Sequence, residues 1–473
     1  MPNKNAKIDR ILEKVLQKII PNKTEHREIE NIMKKVTSKT EKIIEPFKLS
    51  YTIAGSFIRN TYMLDKKEFD IFIMFPESYS REKLEKMGLK IGEKIVKSLK
   101  GKYIIAYAEH PYVRARINGY EVDIVPCYKI KDPSKIKSAV DRTPFHNEWL
   151  KKHLSPRLTS EVRLLKQFLK ANDIYGSDTK TEGFSGYLCE LLIVKYKYFN
   201  KLLEAASKWR AGDVFIDLEN YYKPNERKKV AKTRFKGQPL IVIDPVDPKR
   251  NVASALSPAN FVKFVNLCRE FLKKPSTSFF FKKTKIDYKK LENLLNSRET
   301  QFLAVVFKKP NIIPDILYPQ LRKTAKRLKN ILEEYEFEVM GFDVWSNSDC
   351  AILLELKIWK LPKVRKLTGP PIFSKKHSQE FINKYKGRGR IWIENDHYVA
   401  EVERKFTLAD EKIKHSLSVG VKTLKQKGIA SYIAESIHKH GFKVLNNKQI
   451  IKLAKKNEGF AQFLWEYLKR EFF

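Results

Sequence analysis

The sequence AGSFIRNTYMLDKKEFDIFIMF, residues 54–75, decides the fold of the N-terminal part of the chain. It opens with Gly55-Ser56, continues through a basic segment that we predict to be helical, and ends in an apolar strand carrying Glu68 and Asp70. Alternate residues of a strand face the same side. The two carboxylates should therefore project together, while the intervening apolar residues point into a core.

The neighbouring carboxylates of Glu68 and Asp70 indicate a metal site. Two carboxylates side by side repel each other unless a cation lies between them. Mg²⁺ prefers one or two carboxylates together with substrate phosphates, and a Gly-Ser turn before a helix offers backbone N–H groups to phosphate. Each motif alone is more often a solvated strand face or an ordinary turn, but the combination favours nucleotidyl transfer.

Residues 103–128 supply a third carboxylate. Asn118-Gly119 lies between two alternating runs and predicts a tight hairpin turn. The strand after the turn carries Glu121 and Asp123 on one face. An acid in so apolar a strand is costly to bury unless it is paired or coordinates a metal, which makes Asp123 the third candidate ligand.

The composition points to a polyanionic partner. The chain has 473 residues, 42% of them apolar, which suffices for about three or four domains. With 94 Lys and Arg against 55 Asp and Glu, the formal net charge is +39. Such an excess is typical of proteins that bind nucleic acid. The alternative is a Lys-rich composition without binding meaning, but such chains usually balance Lys with Glu.

The sequence shows no disulfide framework, zinc motif or membrane span. The four cysteines are too far apart for a Cys-x-x-Cys pair, so we expect them to pack as small apolar residues. No run of about 18 apolar residues is present, and the N-terminal MPNKNAKIDR has no apolar signal core. We therefore expect a soluble, cytoplasmic protein with no membrane partner.

Blocks of motifs cover most of the chain, head to tail. They read GS, EFDIF, VDIVPCY, SAVDRTPFHNEWL, VRLLKQFLKANDIYG, GFSGYLCELLI and DPVDPKRNVA. Together they resemble the archaeal-type (class I) CCA-adding enzymes, which are tRNA nucleotidyltransferases of the DNA polymerase beta-like superfamily. The pattern of GS and paired acids indicates only the superfamily, whereas the later blocks are more specific. Glu rather than Asp at position 68 is a departure that the superfamily tolerates.

The resemblance implies a set of site residues. Glu68, Asp70 and Asp123 match the catalytic, metal-binding carboxylates of the family. Nucleotide-binding matches are Gly55 and Ser56 in the phosphate-binding turn, Arg59, the triphosphate contacts Thr143, His146, Lys166 and Tyr175, and Arg250, which reads the incoming base; Asp247 is a weaker match.

Structural alternatives stay open for three of these matches. A lone histidine such as His146 is more often structural, and Lys166 is flanked by apolar residues, as a snorkelling lysine would be. Arg250 could instead pair with Asp244 or Asp247 and merely hold its loop.

The resemblance further implies the reaction. The tRNA 3′-hydroxyl attacks the α-phosphate of CTP or ATP without a nucleic-acid template, and pyrophosphate leaves. Two Mg²⁺ ions would clamp the attacking and leaving oxygens, with Glu68 and Asp70 bridging both ions and Asp123 on the ion that activates the hydroxyl. Two alternatives are another polymerase beta-like enzyme, such as a poly(A) polymerase or an oligoadenylate synthase, and a non-catalytic RNA-binding protein, against which the intact carboxylates argue.

The expected fold is α+β and multidomain. Residues 1–150 would form a polymerase beta-like nucleotidyltransferase head, residues 151–275 a helical central domain, and residues 276–473 an RNA-binding region. In that region the order βαββαβ at about 300–405 predicts a ferredoxin-like module, followed by a basic helical segment. The RNA-binding candidates are Arg322, Lys323, Lys326, Arg388 and Arg390. The oligomeric state stays open, with a homodimer as one option.

Overall fold

The computed structural model describes residues 4–107, 110–281 and 286–469. The chain divides into two units, residues 1–283 and 284–473. Both units contain helices and more than one sheet, which confirms the expected α+β, multidomain fold. No helix within these described ranges is long and apolar enough to cross a membrane.

The first unit contains the stretch that opened the sequence analysis. Its helices are α1 (Lys4–Ile19), α2 (Lys23–Ile44), α3 (Arg81–Ser98), α4 (Arg142–His153), α5 (Pro156–Ala171), α6 (Gly186–Tyr196), α7 (Phe199–Ala206), α8 (Pro224–Thr233) and α9 (Pro258–Lys273). Its strands are β1 (Ser50–Ala54), β2 (Glu68–Phe75), β3 (Lys102–Tyr107), β4 (Pro111–Ile117), β5 (Tyr120–Tyr128), β6 (Val214–Ile216), β7 (Leu240–Asp244) and β8 (Asp247–Asn251).

A five-stranded sheet organises the N-terminal half of this unit. The strands lie in the order β1-β2-β5-β4-β3, and β2 runs parallel to β5 while the other neighbours are antiparallel. Strand β2 forms where the alternation predicts it, with Phe69, Ile71 and Ile73 buried. These side chains share one core with apolar residues of α2 and α3. The opposite face of β2 carries the carboxylates at the start of the strand and the buried Phe72 further along.

The Asn118-Gly119 hairpin forms as predicted. Both residues have positive φ, 49° and 86°, as the favoured two-residue hairpin turn requires. The turn fixes the register of β4 on β5 and sets Arg114 opposite Asp123. Side chains of directly opposed residues lie on the same face of a sheet, so this arginine and this aspartate meet.

Residues 55–60 form turns, so the prediction of a helix there was wrong. The backbone N–H of Thr61 donates to the carbonyl of Ser56 at 2.8 Å, and Asn60 has a left-handed φ of 53°, which a continuing helix excludes. Gly55 has φ of +100°, and a Cβ there would lie 3.4 Å from Oδ2 of Asp70. The turn thus offers single N–H groups close to a carboxylate rather than a helix N-terminus.

A helical core fills the C-terminal half of the first unit. It contains apolar residues of α5, α6, α7 and α9, and the apolar face of α1 packs into it through Ile8, Leu12, Val15 and Ile19. The structure therefore places α1 with the helices of residues 151–275, although the sequence-based division put it with residues 1–150. The small sheet β6-β7-β8 completes this half and carries Asp244 and Arg250.

The second unit is built on two further sheets. Its helices are α10 (Tyr288–Asn296), α11 (Pro314–Glu333), α12 (Lys375–Tyr385), α13 (Ala409–Leu417), α14 (Val421–Gln426), α15 (Ser431–His440), α16 (Asn447–Lys456) and α17 (Glu458–Leu468). Its strands are β9 (Gln301–Lys308), β10 (Glu338–Ser346), β11 (Asp349–Ile358), β12 (Val364–Pro371), β13 (Gly389–Glu394), β14 (His397–Glu403) and β15 (Phe442–Leu445).

The ferredoxin-like module is present, but its last strand is not the one predicted. The antiparallel order β10-β11-β9-β15 follows from β9, α11, β10, β11, the helices α13 to α15, and then β15, which is a βαββαβ succession. The predicted closing strand, β13, pairs with β14 instead, because the turn at Asn395, with φ of 57°, returns the chain directly into β14. The module therefore ends at Leu445 and not near 405.

Residues 364–403 are an insertion within that module. They form the sheet β12-β14-β13 with α12 packed on it. The segment from 406 is helical as predicted, except for β15, whose four residues are too short to produce a readable alternation.

Candidate active site

The three predicted catalytic carboxylates lie together on the parallel strands β2 and β5. The register pairs Asp70 with Asp123, and Glu68 with Glu121. A cavity of about 90 Å³ lies beside them and is lined by Gly55, Ser56, Glu68, Phe69, Asp70, Arg114, Glu121 and Asp123. Burial, and next the charges of Asp123 and Glu68, raise the pKa of Asp70 to about 7. A bound cation would reverse that shift, because it favours the charged carboxylate.

Basic side chains bind two of these carboxylates. Arg114 donates from Nε and Nη2 to the two oxygens of Asp123, at 2.9 and 2.8 Å, and Nζ of Lys66 lies 3.2 Å from Oε1 of Glu68. In the ranges described, no group of three or more His, Cys, Asp or Glu side chains is already arranged around a metal position. The donors nevertheless fit Mg²⁺, which takes oxygen ligands, since a cation would offset both the burial and the carboxylate repulsion that raise the pKa of Asp70.

A buried network supports the turn that precedes β2. Nζ of Lys166 donates to the carbonyl and to Oγ1 of Thr61, at 3.0 and 3.2 Å, and lies 3.7 Å from Oε1 of Glu190. Thr61 in turn donates to Glu190 at 2.5 Å, and Arg59 donates to the other oxygen of that carboxylate at 3.0 Å. Burial would raise the pKa of the Glu190 carboxyl, but the charges of Arg59 and Lys166 hold it below its ordinary value.

A second hub joins His146 and Arg250 through Asp244. Nε2 of His146 lies 2.9 Å from Oδ2 of Asp244, and a carboxylate only accepts, so this nitrogen carries the hydrogen. Nη1 of Arg250 donates to the same oxygen at 2.6 Å, which is the loop-holding contact that the sequence left as an alternative. The His146 ring stacks on Tyr187 with centroids 4.2 Å apart. Asp244 is fully buried, and it therefore orients both residues.

The other predicted nucleotide-binding residues lie in the same unit. Thr143 is on α4, one turn before His146, and is partly buried. Tyr175 follows α5, and Nζ of Lys66 lies 5.7 Å from the centre of its ring. Asp247 accepts from Arg142 at 3.0 Å.

The predicted RNA-binding residues all lie in the second unit. Arg322, Lys323 and Lys326 are on α11, where the two lysines are exposed. Arg388, just before β13, and Arg390, within it, are exposed as well. Exposure leaves the two lysines, Arg388 and Arg390 available to a polyanion, and the role of all five residues stays a prediction.

Sequence reasoning missed Arg114, Glu190 and Asp244. Counting residues outward from the Asn118-Gly119 turn would have placed Arg114 opposite Asp123. The signal for Glu190 was a single acid inside an apolar helix, and such an acid needs a charged partner when buried. Asp244 was named only as a possible partner of Arg250, and its contact with His146 carried no local signal.

Three family models match successive parts of the chain. A nucleotidyltransferase domain matches residues 29–146, the second domain of tRNA nucleotidyltransferases matches residues 160–281, and the C-terminal domain of CCA-adding enzymes matches residues 298–450.

Curated relatives match along almost the whole chain. A CCA-adding enzyme of Methanosarcina mazei is 38% identical over 464 residues, which cover 96% of this chain and 97% of the relative. Those of Methanocaldococcus jannaschii and Archaeoglobus fulgidus are 42% and 38% identical. They cover 85% and 94% of this chain, and 88% and 96% of their own lengths.

Proposed function

This chain belongs to the family of CCA-adding enzymes, and we propose from that premise that it builds or repairs the 3′-terminal CCA of tRNA from CTP and ATP. It is a nucleotidyltransferase. The observation that supports the assignment of its active site is the pairing of Asp70 with Asp123 on parallel strands beside the Gly55-Ser56 turn. A cytoplasmic location is proposed with it, since that is where tRNA would be met.

A poly(A) polymerase is the less supported reading. The three relatives match along 85% to 96% of the chain, and the matched regions include a C-terminal domain described for CCA-adding enzymes. A non-catalytic RNA-binding protein would have no need of a partly buried carboxylate pair beside a small cavity.

The carboxylates of Glu68, Asp70 and Asp123 would hold two Mg²⁺ ions. Mg²⁺ at that position would neutralise charge on the α-phosphate and make the tRNA 3′-hydroxyl easier to deprotonate. Both oxygens of Asp123 are bonded to Arg114, so we propose that Arg114 releases Asp123 when metal and nucleotide arrive. The backbone N–H groups of Gly55 and Ser56 would then face the triphosphate.

The triphosphate residues would act in two ways. Lys166 is only 1% exposed and is bonded to Thr61, so we propose that it holds the turn of residues 55–60 rather than touching phosphate. Nε2 of His146 is bonded to Asp244, and we propose that Nδ1, which is an acceptor in the neutral ring, accepts a hydrogen bond from a hydroxyl or amino group of the nucleotide. His146 would therefore contact the nucleotide itself.

Base selection is assigned to Arg250. Arg presents donors and no acceptor, whereas cytosine offers O2 and N3, and adenine offers N1, as acceptors. Uracil and guanine carry an N–H at the corresponding ring nitrogen, so the arginine donor would face another donor. The bond to Asp244 uses one guanidinium nitrogen, and the side chain is 37% exposed, which leaves donors for a base.

We expect Arg250→Ala to lower kcat/KM for CTP and ATP by at least about tenfold, or roughly 1.4 kcal/mol of transition-state binding, and to raise UTP misincorporation. Lys249→Ala, its exposed neighbour, is the matched control and should leave both unchanged. A variant that is slower but as selective as the wild type would show that Arg250 only holds its loop through Asp244.

The proposed activity is tested on three tRNAs, which end before the CCA, after its first C, and after CC. With Mg²⁺, CTP alone should add two residues, ATP alone should add one to tRNA already ending in CC, and GTP or UTP should add none. A long A-tail would indicate a poly(A) polymerase, and no addition under any combination would contradict the proposal.

A further inference from the structure

Cationic side chains crowd around Phe406, in the link between β14 and α13. Nζ of Lys405 and Nζ of Lys412 each lie 5.4 Å from the centre of its ring, and the ring of His415 lies 4.8 Å away. Lys412 also lies 4.6 Å from the centre of the Tyr335 ring, and Nζ of Lys405 is 3.2 Å from Nε2 of His415. The aromatic rings thus hold the two lysines in defined positions.

Lys427 supplies a third ammonium group beside those of Lys405 and Lys412. We call the four residues the Phe406 cluster: Lys405, Lys412, His415 and Lys427. Nζ of Lys427 donates to the carbonyl of Ser416 at 3.2 Å. Burial, and next the charge of Lys427, lower the pKa of Lys412. Like charges held this close repel each other, so the cluster is a place where a bound anion would gain free energy.

The carboxylates beside the cluster are already engaged by arginines. Glu334 accepts from Arg327 at 2.5 Å, and Glu336 accepts from Arg404. The Arg404 side chain is only 6% exposed. Among the described residues its Nε and Nη1, and Nε of Arg365, have no hydrogen-bond partner. These enclosed guanidinium groups cannot reach a ligand directly, but they add positive charge beneath the surface next to the cluster.

Among the described residues of the second unit, other lysines are paired with carboxylates, in contrast to those of the cluster. Lys357 lies 3.0 Å from Glu338, Lys425 lies 2.7 Å from Glu435, and Lys455 lies 3.0 Å from Glu292. Each of these pairs is an exposed ion pair of small energetic consequence. These three lysines therefore serve as the control set, because they carry the same number of positive charges as the cluster lysines but each has a carboxylate partner.

We propose that the Phe406 cluster binds successive phosphates of an RNA backbone. This rests on the proposed function, in which that RNA is the tRNA substrate, and it adds a binding site distinct from the predicted residues on α11 and β13. Several neighbouring ammonium groups suit the regularly spaced phosphates of an RNA backbone. Binding of this kind is favoured by the release of counterions from the RNA. The aromatic rings that hold the lysines reduce the side-chain entropy that binding would otherwise cost.

The test compares two triple variants of the full chain. The cluster variant removes the three lysine charges of the cluster by Lys405→Gln, Lys412→Gln and Lys427→Gln. The control variant carries Lys357→Gln, Lys425→Gln and Lys455→Gln. The dissociation constant for tRNA lacking CCA is measured at several KCl concentrations, together with kcat at saturating tRNA and KM for CTP. Circular dichroism melting of both variants verifies that they are folded.

We expect the cluster variant to bind tRNA at least about tenfold more weakly, and its plot of log affinity against log salt to be shallower by about 2. The control variant should change binding less than about threefold, and kcat and KM for CTP should stay at wild-type values in both. Equal weakening by the two variants, or no weakening by the cluster variant, overturns the proposal. If the wild type binds tRNA but adds no CCA, the proposed function fails, and the binding comparison still decides the cluster.

Discussion

Asp70→Asn and Asp123→Asn are each expected to lower the rate of nucleotide addition by about a thousandfold or more. The carboxylates lie side by side on β2 and β5, and losing several kcal/mol of charge stabilisation at a metal site corresponds to that factor. Affinity for tRNA should stay nearly intact, because neither side chain is proposed to touch the RNA body. Single-turnover addition of one CMP and a filter-binding assay measure the two quantities.

Glu121→Gln is the matched control for both variants. Glu121 lines the same cavity and lies opposite Glu68, yet it is not among the proposed ligands. Its replacement should leave the rate within about threefold of the wild type, as for a surface position of small energetic effect. A wild-type rate in Asp70→Asn or Asp123→Asn, or an equal loss in Glu121→Gln, would remove the proposed catalytic assignment.

Glu190→Gln is expected to destabilise the first unit by about 3 kcal/mol or more. Glu190 is fully buried between Lys166, which is 1% exposed, and Arg59. Removing one partner of a buried ion pair leaves the other charges uncompensated. Because the residue joins α6 to the turn of residues 55–60, hydrogen exchange of the backbone amides in α5 and α6 reports the loss.

The double variant Glu190→Leu, Lys166→Met separates charge imbalance from a general packing defect. Removing both charges of a buried pair is often close to neutral, so protection should recover toward the wild-type level relative to Glu190→Gln. Unchanged protection in Glu190→Gln would show that the network contributes little to stability.

Short-range patterns predicted the catalytic sheet. The alternation in residues 68–75 gave β2, and the Asn118-Gly119 turn gave the hairpin whose second strand carries Asp123. Both features depend only on neighbouring residues. The parallel pairing of β2 with β5, which brings Asp70 to Asp123, joins residues 53 positions apart and was not predicted. The resemblance to a known family implied only that Glu68, Asp70 and Asp123 act together as metal ligands.

Long-range contacts could not be predicted in the same way. Glu190 is 131 residues from Arg59, and Asp244 is 98 residues from His146. The closing strand of the ferredoxin-like module, β15, follows an insertion of a whole sheet, so β13 was the nearer candidate in the sequence. The Gly55-Ser56 turn was predicted, but the helix predicted after it does not form. Asn60 adopts a positive φ, and side-chain periodicity carries no information on backbone handedness.

The most direct test of the catalytic centre counts the metal ions that its carboxylates hold. Mn²⁺ bound per chain is measured by electron paramagnetic resonance in the presence of CTP, for the wild type and for Asp70→Asn and Asp123→Asn. We expect about two ions per chain in the wild type and the loss of at least one in each variant, as for a two-metal site held by these carboxylates. Equal Mn²⁺ counts in all three proteins would contradict the assignment of Asp70 and Asp123 as metal ligands.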